Sequence, residues 1–125
     1  MPGVTSDVLE ANDRFYAAFN NHDFEAMDAL WATSVEVACV HPGWMRLAGR
    51  EEVMASWAAI LRNPDQSRLV PGDARVVFTG ASAVVHCREF VAGTPLVATN
   101  IFVREEDGAW RLIHHHSSPV MSASS

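Results

Sequence analysis

Histidines are the residues of this sequence best suited to acid–base chemistry. Three stand in a row as His114, His115 and His116, and His41 ends an apolar segment. The ordinary pKa of imidazole lies close to neutral pH, so a histidine can give or take a proton there. The chain has no lysine, which excludes Schiff-base chemistry and the lysine of phosphate-binding loops.

The last two predicted strands can be placed in register from the turn between them. Glu106-Asp107-Gly108 is typical of a three-residue loop with a left-handed glycine, which pairs Glu105 with Ala109. Counting outward along regular strands predicts three further pairs: Phe102 with Leu112, Asn100 with His114, and Ala98 with His116.

Strand alternation then divides the last strand between two faces. One face carries Trp110, Leu112, His114 and His116, and the other carries Arg111, Ile113, His115 and Ser117. The first set has the larger apolar and aromatic groups, so we expect it to face inward. His114 and His116 should then meet His41 and Asn100 in a pocket, while His115 points away. Such a cluster is either a satisfied polar network or a site.

Further residues are expected around the same pocket. Tyr16, the only tyrosine, offers a hydroxyl donor on the first predicted helix, and Trp44 follows a strand end. Glu89 has the strand parity of apolar neighbours, which favours an inward side chain, with Arg88 as the alternative. We predict catalytic roles for His41, His114 and His116. The predicted substrate-binding residues are Tyr16, Trp44, Asn100, Phe102 and Glu89.

Composition excludes several classes of protein. The net charge is −6, and the nine arginines are scattered singly, so a nucleic-acid-binding face is not expected. No apolar run is long enough to span a membrane. Two cysteines, Cys39 and Cys87, do not make a disulfide framework, and the N-terminus has no signal pattern, so we expect a cytoplasmic protein.

Periodicity predicts helices in the first half of the chain and strands in the second. Asp7 and Asp23 can cap the first two helices, and a strand follows at 35–41. Gly49 precedes a third helix, which Asn63-Pro64 ends. The predicted strands that follow are 75–79, 83–91, 96–104 and 110–117. Their short turns make them antiparallel neighbours. This is one α+β domain, residues 1–125, whose tail 119–125 we expect to fray.

Three segments carry a resemblance to the NTF2-like superfamily, and within it to the SnoaL-like branch. They are residues 15–23 (FYAAFNNHD), 41–50 (HPGWMRLAGR) and 107–117 (DGAWRLIHHHS). The resemblance covers nearly the whole chain. It implies a conical domain in which a curved antiparallel sheet wraps around three helices, with a deep pocket, and usually a homodimer formed through the sheet.

The resemblance implies little about chemistry, because the same fold hosts isomerases, cyclases, dehydratases and non-catalytic association domains. Family isomerases combine an aspartate base with a tyrosine and a protonated acid. Tyr16 lies on the first helix, as their tyrosine does. The closing strand, however, offers histidines instead of an aspartate, and no partner acid can be identified from the sequence.

Three functional hypotheses follow. The first is an isomerase, lyase or cyclase that acts on a small apolar molecule without a cofactor. In it, His114 or His116 is the base or acid, His41 the second proton carrier, and Asn100 or Tyr16 the oxyanion donor. The second is a non-catalytic ligand-binding or dimeric association domain. The third is a metal site formed by His41, His114 and His116.

Overall fold

The computed structural model describes residues 2–121, with side chains from residue 4 onward. The predicted order of helices and strands is confirmed, with one short strand in addition. The elements are α1 (Pro2–Asn20), α2 (Phe24–Leu30), β1 (Ala38–Val40), β2 (Leu47–Ala48), α3 (Arg50–Arg62), β3 (Leu69–Thr79), β4 (Ser82–Val91), β5 (Thr94–Arg104) and β6 (Trp110–Pro119). Residues 122–125 of the predicted frayed tail lie outside the described residues.

The helix boundaries follow local chemistry. α1 begins at Pro2, earlier than the predicted cap Asp7, because proline is tolerated at the first helical position, where no N–H bond is lost. Asp23 caps α2 as predicted and accepts a hydrogen bond from the backbone N–H of Ala26 at 3.1 Å. No helix within residues 2–121 is long and apolar enough to cross a membrane.

The sheet has six strands in the order β2-β1-β6-β5-β4-β3, and it is curved and open. β3 to β6 are antiparallel neighbours, as predicted. β1 runs parallel to β6, with Ala38 beside His114 and Val40 beside His116. The predicted curved sheet with antiparallel strands in the second half of the chain is confirmed, and the parallel β1 makes the complete sheet mixed. The long stretch of chain between β1 and β6 is what allows a parallel pair.

The core lies between the three helices and the inner face of the sheet. Its centre is an aromatic cluster in which Trp57 of α3 meets Phe15 and Phe19 of α1 edge-on, at ring-centroid distances of 5.6 and 6.2 Å. The side chains of Val8, Met27, Val53 and Leu112 complete this layer and are fully buried. The helices thus cover one face of the sheet.

The other face of the sheet carries apolar side chains that no described helix covers. Four of them are between 44% and 54% exposed: Val70, Val77, Phe90 and Val97. Val70 and Phe90 are cross-strand partners, as are Val77 and Val84. This surface is defined here as the outer face, and an apolar surface of this kind is typical of an interface.

A β-bulge in β6 changes the predicted register. The N–H of Glu105 donates to the carbonyl of Ala109 at 2.9 Å, and Phe102 pairs with Leu112, so the first part of the prediction is confirmed. Beyond this point Ile113 has no partner in β5. The next pair is Ile101 with His114. One extra residue on one strand is what defines a bulge.

The bulge reverses the predicted faces of the histidines. Asn100 pairs with His115, where His114 was predicted, and Ala98 pairs with Ser117, where His116 was predicted. Both predictions are wrong by one residue. Because side chains alternate, a one-residue slip moves each of them to the other face. His115 is buried at 4% exposure on the inner face, whereas His116 is exposed and His114 is half-buried on the outer face.

Candidate functional site

A cavity of about 440 Å³ opens between α1, α3 and the inner face of the sheet. Its walls are mainly apolar and include the aromatic side chains of Phe15, Phe19, Trp44 and Trp57. Its ionisable lining residues are His41, Glu89 and His115. No arginine of the described chain lines it. An apolar pocket with a few converging polar groups is the usual form of a small-molecule site.

Glu89 is the carboxyl group of this cavity and is 1% exposed. One of its oxygens accepts a hydrogen bond from the Tyr16 hydroxyl at 2.6 Å, and the other accepts from the Ser117 hydroxyl at 2.5 Å. Burial raises the pKa of Glu89, and the two hydrogen bonds only partly oppose this. The group therefore keeps its proton to a higher pH than an exposed glutamate.

The sheet explains how Ser117 reaches Glu89. The two residues lie on β6 and β4, with β5 between them, and strands are about 4.8 Å apart. The β5 residue that pairs with Ser117 is Ala98, whose small side chain leaves room above the sheet. The carboxyl of Glu89 accepts hydrogen bonds from the hydroxyls of both Ser117 and Tyr16.

Tyr16 lies on α1, one layer behind the cavity wall, and is 2% exposed. Its oxygen accepts a hydrogen bond from the amide nitrogen of Asn100 at 3.1 Å, and its hydroxyl donates to Glu89. Burial, followed by the nearby Glu89, raises the pKa of the phenol. Tyr16 is therefore a neutral donor. Glu89 is the acid that lies next to Tyr16, a pairing that could not be identified from the sequence.

The hydrogen bonds of Asn100 fix the tautomer of His115. The amide nitrogen of Asn100 donates to the side-chain oxygen of Asn12 at 2.9 Å and to Tyr16. Its amide oxygen lies 2.5 Å from Nδ1 of His115 and can only accept, so Nδ1 carries the proton. Nε2 has no hydrogen bond in the described part of the chain, and it is the lone-pair nitrogen of a ring that lines the cavity.

Burial lowers the pKa of His115 to about 3, and the neighbouring His41 adds to this effect. The imidazole is thus neutral at physiological pH. His41, whose pKa burial lowers to about 4, is neutral as well. The two ring centroids are 6.5 Å apart.

His41 is held by a serine on α3. Nε2 of His41 lies 2.9 Å from the Ser56 hydroxyl oxygen, and that hydroxyl donates its own proton to the carbonyl of Val53 at 2.7 Å. The Ser56 oxygen must therefore accept from Nε2–H of His41. The His41 ring packs edge-on against Trp44 and Trp57, each at 4.7 Å.

The structure brings together some of the predicted site residues but not all of them. His41, Trp44 and Glu89 line the cavity. Tyr16 and Asn100 lie one layer behind, hydrogen-bonded to Glu89 and His115. Phe102 is fully buried in the core and does not line the cavity.

His114 and His116 lie on the outer face, away from the cavity, so the predicted placement of these two histidines in the pocket is wrong. The alternative metal site of His41, His114 and His116 does not form, because the sheet separates His41 from the other two. Within the described residues there is no other group of three or more His, Cys, Asp or Glu side chains able to hold a metal ion.

Three residues hydrogen-bonded to Glu89 or Asn100 were missed as site candidates from the sequence: His115, Ser117 and Asn12. His115 and Ser117 were assigned to the outer face because regular alternation was assumed past Ile113. Asn12 had a detectable signal, since it precedes Tyr16 by one helical turn and so lies on the same side of α1.

Comparison with known proteins identifies the family. The model of the SnoaL-like domain matches residues 8–122. The chain belongs to the SnoaL-like family. The structures similar to this SnoaL-like domain are NTF2-like cone folds, which confirms the fold expected from the sequence.

Two solved structures are similar in sequence as well as in fold. A proposed dehydratase of the NTF2-like family from Streptomyces avermitilis is 38% identical, with a TM-score of 0.88, over 98% of this chain and 100% of that chain. A proposed calcium/calmodulin-dependent protein kinase type II association domain from Thiobacillus denitrificans is 32% identical, with a TM-score of 0.78, over 89% of this chain and 93% of that chain.

A curated relative is the F-box protein SKIP8 of Arabidopsis thaliana. It is 28% identical over 121 residues, which are 94% of this chain and 52% of that protein. The SnoaL-like domain thus spans about half the length of the curated relative it matches.

The shifted pKa values predict how stability depends on pH. Between about pH 6.5 and the folded pKa of about 3, the unfolded chain binds a proton at His115 and the folded chain does not. Stability should therefore fall as the pH falls through this window, by up to about 1.4 kcal/mol per pH unit for this one group. His115→Gln should make the acid destabilisation shallower by that amount in urea unfolding.

Glu89→Gln should act in the opposite direction. Because its folded pKa is raised, Glu89 takes up a proton in the folded state first, which stabilises the fold as the pH falls towards about 4.3. Removing the carboxyl should therefore make the acid destabilisation steeper just above that pH. Equal slopes for the wild type and both variants would contradict the burial of these groups.

Proposed function

We propose that this SnoaL-like domain is an acid–base enzyme of isomerase or lyase type that acts on a small, largely apolar molecule. One observation carries the proposal: a single cavity holds the carboxyl of Glu89, whose pKa burial raises, and the lone-pair Nε2 of His115. A proton donor and a proton acceptor in one apolar pocket are the elements of general acid–base catalysis. The proposal replaces His114 and His116 with His115 and Glu89.

The proposed reaction begins with an enolisation. Nε2 of His115 takes a proton from the carbon next to a carbonyl group of the substrate, and Glu89 gives its proton to the carbonyl oxygen. The product is a neutral enol bound between an imidazolium and a carboxylate. In a lyase, the proton of Glu89 goes instead to the departing hydroxyl group, and water leaves.

The low pKa of His115 couples two proton transfers, the one from the substrate to His115 and the one from Glu89 to the substrate. A lone imidazolium is strongly disfavoured in this buried position, because burial holds the pKa of the ring at about 3. When Glu89 gives up its proton at the same time, the new carboxylate stabilises the new imidazolium. The Tyr16 and Ser117 hydroxyls already donate to that carboxyl, and such bonds strengthen when the acceptor is ionised.

His41 and Trp44 have supporting roles in this proposal. His41 is the second proton carrier or acceptor next to His115, and Trp44, which is 47% exposed, forms the rim against the His41 ring. The aromatic walls keep water away from the transferred protons, which strengthens electrostatic interactions inside. No cofactor has a role in this mechanism.

The similarity to a proposed dehydratase supports the lyase form of this proposal. The second candidate function is a non-catalytic association domain, which the 32% identity to a proposed kinase association domain favours. We further propose a cytoplasmic location. The buried and unpaired Cys39 and Cys87 are compatible with a reducing compartment.

Deuterium exchange tests the catalytic proposal without knowledge of the substrate. We expect the protein to accelerate the exchange of the α-hydrogens of 2-tetralone, a neutral aromatic ketone, in deuterated buffer, as followed by proton NMR. His115→Gln should reduce the protein-dependent rate by about 100-fold or more, because general-base catalysis contributes about that much.

His116→Gln is the matched control, since it removes the adjacent histidine on the outer face and should leave the exchange rate unchanged. An unchanged rate in His115→Gln would exclude this ring as the base. No acceleration by the wild-type protein would favour the association domain.

We also propose that the domain is a homodimer formed through the outer face of the sheet, where large apolar side chains remain about half exposed. Light scattering should give twice the monomer mass of 13.7 kDa at micromolar concentration. Val97→Glu should shift the protein to monomers, because it introduces a charge into the apolar surface.

Val35→Glu is the control for the dimer. Val35 is also 49% exposed but lies in the loop between α2 and β1, so this substitution should leave the mass unchanged. A wild-type protein that stays at the monomer mass at all concentrations would disprove the dimer.

A further inference from the structure

We infer that the cavity accepts uncharged, planar ligands that carry a hydroxyl group and rejects carboxylates and phosphates. The inference rests on the proposed function, because it names the substrate class of the same site. It goes further in that it specifies charge, shape and hydrogen-bonding groups.

The absence of a countercharge is the first reason. Glu89 is buried in the wall, and no arginine of the described chain lines the cavity. The chain has no lysine. An anionic ligand would therefore lose its hydration next to a carboxyl group with no cation to compensate, which is strongly unfavourable.

Two arginines, Arg50 and Arg111, are already paired with acids. Arg50 binds Asp28 at 2.6 Å, and Arg111 binds Glu105 at 2.9 Å as well as Asp107. A rearrangement that brought either guanidinium to an anion in the cavity would have to break these pairs. Arg50 and Arg111 therefore supply no countercharge to the cavity.

The hydrogen-bonding groups of the cavity are the second reason. Both histidines hold their ring N–H groups towards the protein, His115 to Asn100 and His41 to Ser56. His115 consequently offers a lone pair, and a ligand must supply the proton for that bond. The acid proton of Glu89 needs an acceptor in return. A hydroxyl group can do both, because it is a donor and an acceptor.

The walls of the cavity are the third reason. Phe15 and Trp57 meet edge-on, and Trp44 stands edge-on to His41 at the rim, so flat ring faces and edges bound the space. Aromatic groups pack well in offset or edge-to-face arrangements. A volume of about 440 Å³ is large enough for a molecule of two fused rings.

Three naphthalene derivatives with the same rings test this inference by calorimetry near neutral pH. 2-Naphthol is uncharged and has a hydroxyl donor, 2-methoxynaphthalene lacks the donor, and 2-naphthoate is an anion. We expect the wild-type protein to bind 2-naphthol at least tenfold more tightly than 2-naphthoate. Its affinity for 2-methoxynaphthalene should be at least fivefold lower than for 2-naphthol.

Glu89→Gln should leave the preference for 2-naphthol over 2-naphthoate in place, because the amide supplies no cation either and the missing countercharge is what excludes the anion. The exposed Glu36→Gln is the matched control and should change neither ratio. The wild-type ratios alone remain decisive if Glu89→Gln does not fold.

Two kinds of result would overturn the inference. One is equal or tighter binding of 2-naphthoate or 2-methoxynaphthalene, and the other is no binding of 2-naphthol up to its solubility limit. The test is separate from that of catalysis. Selective binding without exchange of 2-tetralone would refute the enzyme alone, and exchange without selectivity would refute the ligand class alone.

Discussion

A buried polar side chain needs a hydrogen-bond partner, and this requirement determines the layer between α1 and the sheet. Asn12 and Tyr16 project from α1 and meet Asn100 of β5, whose amide group uses both ends: the nitrogen donates to α1 and the oxygen accepts from His115. Tyr16 in turn donates to Glu89. In this series of hydrogen bonds, the direction of each bond follows from the direction of the neighbouring bond. The cavity therefore holds the lone-pair Nε2 of His115 and the carboxyl group of Glu89, on which the proposed chemistry depends.

The second constraint is the bulge at Ile113. Without a bulge, the chain beyond Leu112 would place Asn100 opposite His114 and would leave His115 on the outer face. The bulge instead pairs His115 with Asn100 and places the Ser117 hydroxyl against Glu89. Bulges are common next to functional sites, where they redirect side chains. Here a single extra residue decides which of three consecutive histidines belongs to the cavity.

Much of the fold could be predicted from the sequence because its signals are local. The cap at Asp23, the left-handed Gly108 and the apolar alternation around Glu89 depend on neighbouring residues alone, and each was confirmed. The inward histidine could not be predicted in this way. A bulge has no distinctive residue at Ile113, and its position depends on how β6 fits against β5. The same holds for the parallel pairing of β1, which depends on the free edge of a strand far along the chain.

The tautomer of His115 tests the central claim most directly. In protein labelled with ¹⁵N histidine, long-range ¹⁵N–¹H correlation spectra distinguish a protonated Nδ1 from a protonated Nε2, and a His115→Gln variant assigns the signals. The account predicts that His115 stays neutral between about pH 5 and 8, with its proton on Nδ1. A His115 ring protonated at Nε2, or one that becomes charged in this range, would contradict it.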